Sequence, residues 1–234
     1  LTSAFLPGLA AVAHDEERLR LAYRKAQSAV LAATLPLGFG IALLAPQFIA
    51  LLAGDQWLPH AAHVVRWTAP AMTIAMVAAA TDALATARLE LRQMAMRSLA
   101  FAVIMLPTHY WAASTHGLRG VTFSVAGGAL LLALMRLWMA TALLGDHILT
   151  PFFRGWRMFA AAGAMSAAIL LSDPPAPVGR GELQVFLDLA PRVALGALVY
   201  TSVLAALWHV QGRPDGLEAR VIDAWPRLRR KLRV

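Results

Sequence analysis

The chain has 234 residues and no cysteine, and 59% of its residues are hydrophobic while only 15% are charged. A soluble domain has roughly 45–50% apolar and about 25% charged residues, so this composition argues against a typical soluble domain and favours a lipid-facing protein. The lack of cysteine excludes a disulfide framework and a thiolate metal site. The formal net charge is +8, but the charges cluster between hydrophobic segments, so we expect no nucleic-acid partner.

The chain begins with "LTSAFLPGLAAVAHDEERLRLAYRKAQ", in which an apolar stub precedes a dense charge cluster. A secretory signal has the opposite order, with a basic region before its apolar core. We therefore predict that residues 1–28 are the end of a preceding helix followed by a cytoplasmic amphipathic segment. On this interpretation the chain is a fragment of a longer protein. The acidic residues 15–17 favour the start of a short helix that ends near Lys25.

Hydrophobic segments then dominate residues 29–210. A membrane helix needs roughly 20 mostly apolar residues to cross about 30 Å of hydrocarbon. Six segments fit this pattern, the fifth being the shortest: 26–54, 67–87, 98–118, 120–145, 155–172 and 193–212. Small residues recur within them, as in "AAATDALATA" and "AAAGAMSAA", and allow helix backbones to approach closely in lipid. The sequence therefore predicts an all-α, polytopic membrane helix bundle with about six transmembrane helices, rather than six buried helices of a soluble core.

Basic residues alternate between the segments that connect these helices. One set of connections, which includes the opening cluster and the tail at 211–234, holds sixteen basic residues, and the other set holds four. Short loops rich in Lys and Arg stay cytoplasmic. We therefore predict a multi-pass protein with a cytoplasmic C-terminus, whose basic tail contacts anionic lipid head groups.

The sequence contains no fingerprint of a catalytic or cofactor site, such as HExxH, GxSxG, a Walker A motif or a dinucleotide-binding motif. We therefore expect no enzymatic activity and no cofactor. His60 and His63 are spaced to share one helix face, but no third metal ligand is nearby. Trp57 and Trp67 flank them as interfacial aromatic residues do, which favours a membrane-surface segment over a metal site.

Three ionisable residues in or beside the spans are candidates for a substrate cavity, because charges within a membrane are costly and usually face a cavity or a partner. Arg136 lies nine residues before Gly145, about 14 Å from the cytoplasmic end of its helix. Asp82 lies six residues before Arg88, about 9 Å deep. These two residues fall in the same half of the membrane, where a pairing between them is one alternative and purely structural pairing another. Arg66, at the outer edge of the second span, is the third candidate.

Four stretches carry a likeness to a known family: "FLPGLAAVAHDEERLRLAYRKA", "LPLGFGIALLAPQFIALLAGDQW", "VVRWTAPAM" and "ALATARLELR". Their order resembles the C-terminal part of polysaccharide flippases, which are the lipopolysaccharide and exopolysaccharide export proteins of the multidrug/oligosaccharidyl-lipid/polysaccharide flippase superfamily. The likeness covers about residues 4–95 and is limited to general hydropathy after that.

The resemblance implies that the chain is the back part of a two-lobe flippase in the bacterial inner membrane. Such a protein moves a polyprenyl-pyrophosphate-linked oligosaccharide across the membrane by alternating access, for polysaccharide biosynthesis. The resemblance is also compatible with H⁺ or Na⁺ as a coupling ion, and Asp82 is then the candidate carboxylate. Arginine suits a diphosphate because it forms bidentate, charge-assisted hydrogen bonds.

Other functions stay open at this point. A drug/cation antiporter of the same superfamily would favour acidic cavity residues, whereas this chain has one membrane carboxylate against several arginines. A membrane enzyme of polysaccharide assembly would be expected to carry a large external loop or a His/Asp cluster within its spans. A non-transporting scaffold is the third alternative.

Overall fold

The computed structural model describes the backbone of residues 2–210 and the side chains of residues 5–210; the predicted lipid-binding tail at 211–234 lies outside this range. The described part is helical, without a strand, which confirms the predicted all-α fold. Its helices are α1 (Thr2–Ala10), α2 (Glu16–Leu43), α3 (Ala45–Ala53), α4 (Leu58–Ala75), α5 (Thr81–Ala87), α6 (Leu91–Leu144), α7 (Thr150–Leu171) and α8 (Glu182–Val210), with 3₁₀ turns at Asp55–Trp57 and Met76–Ala78.

Four helical segments of the described part are long and apolar enough to cross a membrane: Glu16–Leu43, Asp55–Ala87, Leu91–Leu144 and Glu182–Val210. As one straight helix the third would be about 80 Å long at 1.5 Å per residue, more than twice the thickness of a bilayer core. Gly117 interrupts it with a non-helical backbone (φ 57°, ψ −140°), so residues 91–116 and 118–144 form two helices. α7 is not among the four but occupies the fifth predicted segment. The prediction of a polytopic membrane helix bundle is confirmed.

The two halves of α6 form an antiparallel hairpin around Gly117. His109 Nδ1 lies 2.8 Å from Ser124 Oγ across the hairpin. Deeper in the bundle, Gly128 faces Met105, where an added Cβ would lie 2.8 Å from the sulfur. The positive φ at position 117 is one that glycine adopts without steric cost. The sequence predicted this break two residues later, between segments 98–118 and 120–145.

α2 begins where the acidic residues predicted a helix start, and Asp15 Oδ1 accepts a hydrogen bond from the Arg18 amide at 3.1 Å. The predicted end near Lys25 is wrong, since the helix continues to Leu43 and crosses the proposed boundary at residue 28 without a break. No helix-terminating residue follows Lys25, and the apolar residues after it pack into the core. The amphipathic segment and the first membrane span are therefore one continuous helix.

Small residues bring the helices of the core close together. A Cβ added at Gly38 of α2 would lie only 1.6 Å from Thr73 Oγ1 of α4, so these two helices touch at a position that admits no side chain. Ala78, Ala83 and Ala161 have no exposed surface at all. Close helix contact of this kind stabilises membrane bundles through van der Waals packing, because lipid provides no hydrophobic force between helices.

The two sets of connecting segments lie at opposite ends of the bundle. At one end, Arg20 of α2 donates from Nη2 to the carbonyl of Leu144, the last residue of α6, at 2.6 Å. At the other end, the amide of Gly179 donates to Asp55 Oδ2 at 3.0 Å. This arrangement agrees with the alternation of loops in the sequence. The cytoplasmic location of the Arg20 end stays a prediction from the distribution of basic residues.

Candidate substrate-binding site

Two arginines share the carboxylate of Asp82. Arg97 Nη2 lies 2.6 Å from Asp82 Oδ1, and Arg136 Nη2 lies 2.7 Å from Asp82 Oδ2. The exposed fractions are 9% for the side chain of Arg97, 17% for Asp82 and 23% for Arg136. The structure therefore brings together two of the three predicted site residues and adds Arg97, forming what we call the Asp82 cluster (Asp82, Arg97 and Arg136).

The fold explains why these three side chains meet. Asp82 lies in the first turn of α5, where the helix dipole favours a carboxylate. Arg97 lies six residues after the start of α6, and Arg136 lies eight residues before its end. The α6 hairpin therefore brings both residues to similar depths on its two antiparallel helices. Three separate helical segments thus converge on one carboxylate.

The cluster carries one more positive charge than negative charge. An arginine offers five N–H donors, and one carboxylate cannot satisfy all the donors of two guanidinium groups. Within the described residues, Nε of Arg97 and Nε of Arg136 are buried and have no hydrogen-bond acceptor. A buried charge is stable only when it is paired, so the cluster is suited to a second anion in addition to Asp82.

A cavity of about 730 Å³ lies between the two halves of α6, beside Arg97. We call it the α6 groove. Its polar lining comes from the start of the first half of α6 and includes Arg92 and Gln93. Its apolar lining comes from both halves and includes Met96, Met135, Trp138 and Met139. Arg97 belongs to both the groove and the Asp82 cluster, so a charged group and an apolar wall are adjacent here.

A second carboxylate, Asp146, also contacts two arginines, and we call Asp146, Arg20 and Arg24 the Asp146 cluster. Arg24 binds both carboxylate oxygens, with Nε 3.0 Å from Oδ2 and Nη2 2.5 Å from Oδ1. Arg20 Nε is 3.9 Å from Oδ1. Arg154 lies nearby, and its burial together with the charge of Arg24 lowers its pKa from the ordinary value. Basic side chains are thus concentrated at this end of the bundle.

Two buried polar residues of α2 support the backbone next to Asp82. The hydroxyls of Tyr23 and Thr81 are 3.0 Å apart. Gln27 Nε2 donates to the carbonyl of Val77 at 2.5 Å, in the 3₁₀ turn that separates α4 from α5. Interrupted backbone at membrane depth is tolerated where other groups satisfy its polar atoms. Sequence reasoning missed these residues because neither type is unusual near the end of a membrane helix.

The third predicted site residue lies elsewhere. Arg66 is exposed and lines a separate cavity of about 480 Å³ at the opposite end of the bundle, together with Gln47 and Pro175. Conversely, Arg97 lies one residue before the third predicted segment, 98–118, so the sequence places it among the basic residues of a connection. The helix begins at Leu91, which places Arg97 about 9 Å inside it, the same depth that identified Asp82.

The two histidines considered as a metal pair do not converge with further ligands. Among residues 5–210 no group of three His, Cys, Asp or Glu side chains is placed to hold a metal ion. His63 instead packs edge-on against Phe123, with ring centroids 6.2 Å apart, and His60 is exposed. His63 therefore contributes to packing between α4 and α6.

Comparison with known protein families gives the following similarity. A family model described as "Polysaccharide biosynthesis protein" matches residues 1–62 of the 234-residue chain. No curated protein matches the chain. The matched part comprises α1, α2, α3 and the start of α4, and it ends before the Asp82 cluster. The match indicates a role in polysaccharide biosynthesis, which for this helix bundle means a role at a membrane.

Proposed function

We propose that the chain is part of a flippase that carries a polyprenyl-pyrophosphate-linked oligosaccharide across the bacterial inner membrane by alternating access. The observation that carries this proposal is the Asp82 cluster, in which two arginines inside the bundle share one carboxylate and keep unused donors. The family match over residues 1–62 supports a polysaccharide intermediate as the cargo. The product would serve lipopolysaccharide or exopolysaccharide synthesis.

The chemistry of the cargo fits the cluster. A pyrophosphate presents several anionic oxygens, and guanidinium groups bind such oxygens through paired, charge-assisted hydrogen bonds. In the absence of cargo, Asp82 partly neutralises Arg97 and Arg136 and holds both in place. Cargo binding would replace part of that interaction, while the prenyl tail stays in lipid. No covalent bond forms or breaks, so the proposed role is transport and not catalysis.

Asp82 also provides a route to energy coupling. A proton or a sodium ion on this carboxylate would weaken its hold on both arginines and increase the positive charge available to the cargo. H⁺ or Na⁺ is therefore the proposed coupling ion. A drug/cation antiporter remains the alternative from the same superfamily, but two arginines outnumber the single carboxylate of the cluster, which favours an anionic cargo.

The test is Arg136→Ala in the full-length protein, measured as polysaccharide export per molecule of protein in the membrane. We expect at least a tenfold loss of export with normal membrane insertion, because a hydrogen bond to a charged group contributes about 1.5–3 kcal/mol. Arg136→Lys keeps the charge but loses the bidentate geometry, so an intermediate loss is expected.

The matched control is Arg18→Ala, which removes an arginine whose side chain is 77% exposed at the same end of the bundle. It is expected to export normally. Normal export by Arg136→Ala would contradict the proposal. If Arg136→Ala fails to insert, Arg136→Lys decides the question, and wild-type export by that inserted variant would also count against a bidentate phosphate contact.

A further inference from the structure

We propose that the α6 groove binds an anionic phospholipid from the leaflet at the Asp146 end of the bundle. The lipid phosphate would lie against Arg92 and Arg97, and an acyl chain would lie along Met96, Met135 and Trp138. This inference goes beyond transport, because it assigns a lipid site on the side of the bundle and holds whether or not the protein moves an oligosaccharide.

The polar end of the groove favours an anion. Arg92 is exposed and has no ion pair among the described residues, while Arg97 is nine-tenths buried and its Nε has no acceptor there. The groove also reaches the N-terminus of α6, where Glu90 makes no side-chain cap, so the first amide groups keep their partial positive charge. Glu90 is the one acidic lining residue, and it accepts a hydrogen bond from Gln93 Nε2 at 2.9 Å.

The walls of the groove favour a hydrocarbon chain. The side chain of Trp138 is 72% exposed, and Met96 on the opposite wall is also exposed. Met139 is buried at the base of the groove and contacts Arg97 Nη1 through its sulfur at 3.4 Å. Methionine side chains adapt to irregular apolar surfaces. A ligand that fits the whole groove is therefore an amphiphile with a phosphate at one end.

Charge complementarity selects an anionic lipid over a zwitterionic one. A zwitterionic head group would bring its own cation next to Arg92 and Arg97, whereas a phosphatidylglycerol head group brings only a negative charge. Basic residues near a membrane surface attract anionic lipid with a strength that corresponds to about a fivefold preference per residue. The volume of about 730 Å³ also lies within the range of small-molecule sites.

The experiment measures lipid contact at Trp138 directly. The full-length protein is reconstituted in two series of phosphatidylcholine vesicles, with increasing mole fractions of either brominated phosphatidylglycerol or brominated phosphatidylcholine. Bromine quenches nearby tryptophan fluorescence. The chain has seven tryptophans, so the Trp138 signal is the difference between the wild type and Trp138→Phe. We expect half-maximal quenching at about a fivefold lower mole fraction of the anionic lipid, which is the contribution of Arg92 alone, because Arg97 is already paired with Asp82.

Arg92→Gln is expected to reduce this preference by about fivefold, and the exposed control Arg18→Gln is expected to keep it. Arg92 makes no ion pair in the described part of the chain, so its loss leaves the helix contacts intact.

Equal quenching by both lipids, or a preference that survives Arg92→Gln, would overturn the proposal. A preference abolished by millimolar inorganic phosphate would assign the groove to a free anion instead. Absence of any quenching at Trp138 would show that protein covers the groove, and this result would also overturn the proposal. Export is not the readout, so a negative result leaves the proposed transport untouched.

Discussion

Asp82 and Asp146 are each bound by two arginines, yet the two clusters differ in what the arginines do besides pairing. In the Asp146 cluster, Arg24 forms a bidentate pair and Arg20 also closes the C-terminus of α6 through the Leu144 carbonyl. In the Asp82 cluster, each arginine binds the carboxylate through one terminal nitrogen and neither contacts a helix end. Nε of both arginines, like Nε of Arg20, has no hydrogen-bond acceptor among the described residues. Both arrangements join helices, but only the first caps a helix C-terminus, whereas the second places two arginines on one carboxylate inside the bundle.

The number of ion pairs around a carboxylate therefore does not identify a binding site. Cations at a helix C-terminus stabilise the helix dipole and cap its last carbonyls, so Arg20 has a sufficient structural purpose. Arg97 and Arg136 lie within the helices and cap nothing. Unsatisfied donors inside a membrane bundle are costly unless a ligand uses them. If the Asp146 cluster is structural and the Asp82 cluster binds cargo, substitutions in the two clusters will affect stability and export differently.

The largest effect is expected from Asp82→Asn. This substitution keeps the shape of the side chain but leaves two mostly buried arginines without their counter-charge, and breaking a buried pair from one side typically costs about 3–5 kcal/mol. We expect a clear loss of stability in detergent, measured by unfolding of the purified full-length protein, together with a loss of export. The double variant Asp82→Asn/Arg97→Gln removes one of the two unpaired cations and should recover part of the stability. Unchanged stability in Asp82→Asn would mean that solvent or lipid already screens the cluster.

An intermediate effect is expected from Asp146→Asn. Arg20 keeps its bond to the Leu144 carbonyl, so one of the two arginines retains an acceptor and we expect a stability loss of about 1–2 kcal/mol. Export per inserted molecule should stay at the wild-type level, because this cluster is assigned a structural role. The reversed pair Arg24→Asp/Asp146→Arg should recover stability. An Asp146→Asn export defect as large as that of Arg136→Ala would exchange the roles of the two clusters.

Much of this architecture can be read from the sequence. Uninterrupted apolar segments predicted the helices, and the alternation of basic loops predicted which connections share an end of the bundle, because both are properties of single segments. Depth from the nearest basic turn singled out Arg136 and Asp82 for the same reason. The turn at Gly117 was misplaced by only two residues, since glycine marks it locally.

The remainder depends on contacts between segments distant in sequence. Arg97 joins the site only because α6 begins at Leu91, and hydropathy cannot locate a helix start within an amphipathic turn. Arg66 is a basic residue at the edge of a predicted span, as a site residue would be. It lies at the opposite end of the bundle from the Asp82 cluster, which only the packing of α4 reveals. The contacts of Tyr23 with Thr81 in α5 and of Gln27 with the 3₁₀ turn before α5 also join segments that are distant in sequence.

The smallest effect is expected at a third carboxylate, Asp55, which lies at the opposite end of the bundle. Its described contact is an exposed hydrogen bond from the Gly179 amide, with no arginine paired to it. Asp55→Asn retains an acceptor oxygen, so we expect a stability change within about 0.5 kcal/mol and normal export. Unfolding in detergent and the export assay used for Arg136→Ala measure both. Asp55→Ala, which removes the acceptor, is the matched comparison and should also export normally. If either variant abolished export, the proline-rich connection that contains Gly179 would have to take part in transport. The functional difference would then lie between the two ends of the bundle and not between the two arginine clusters.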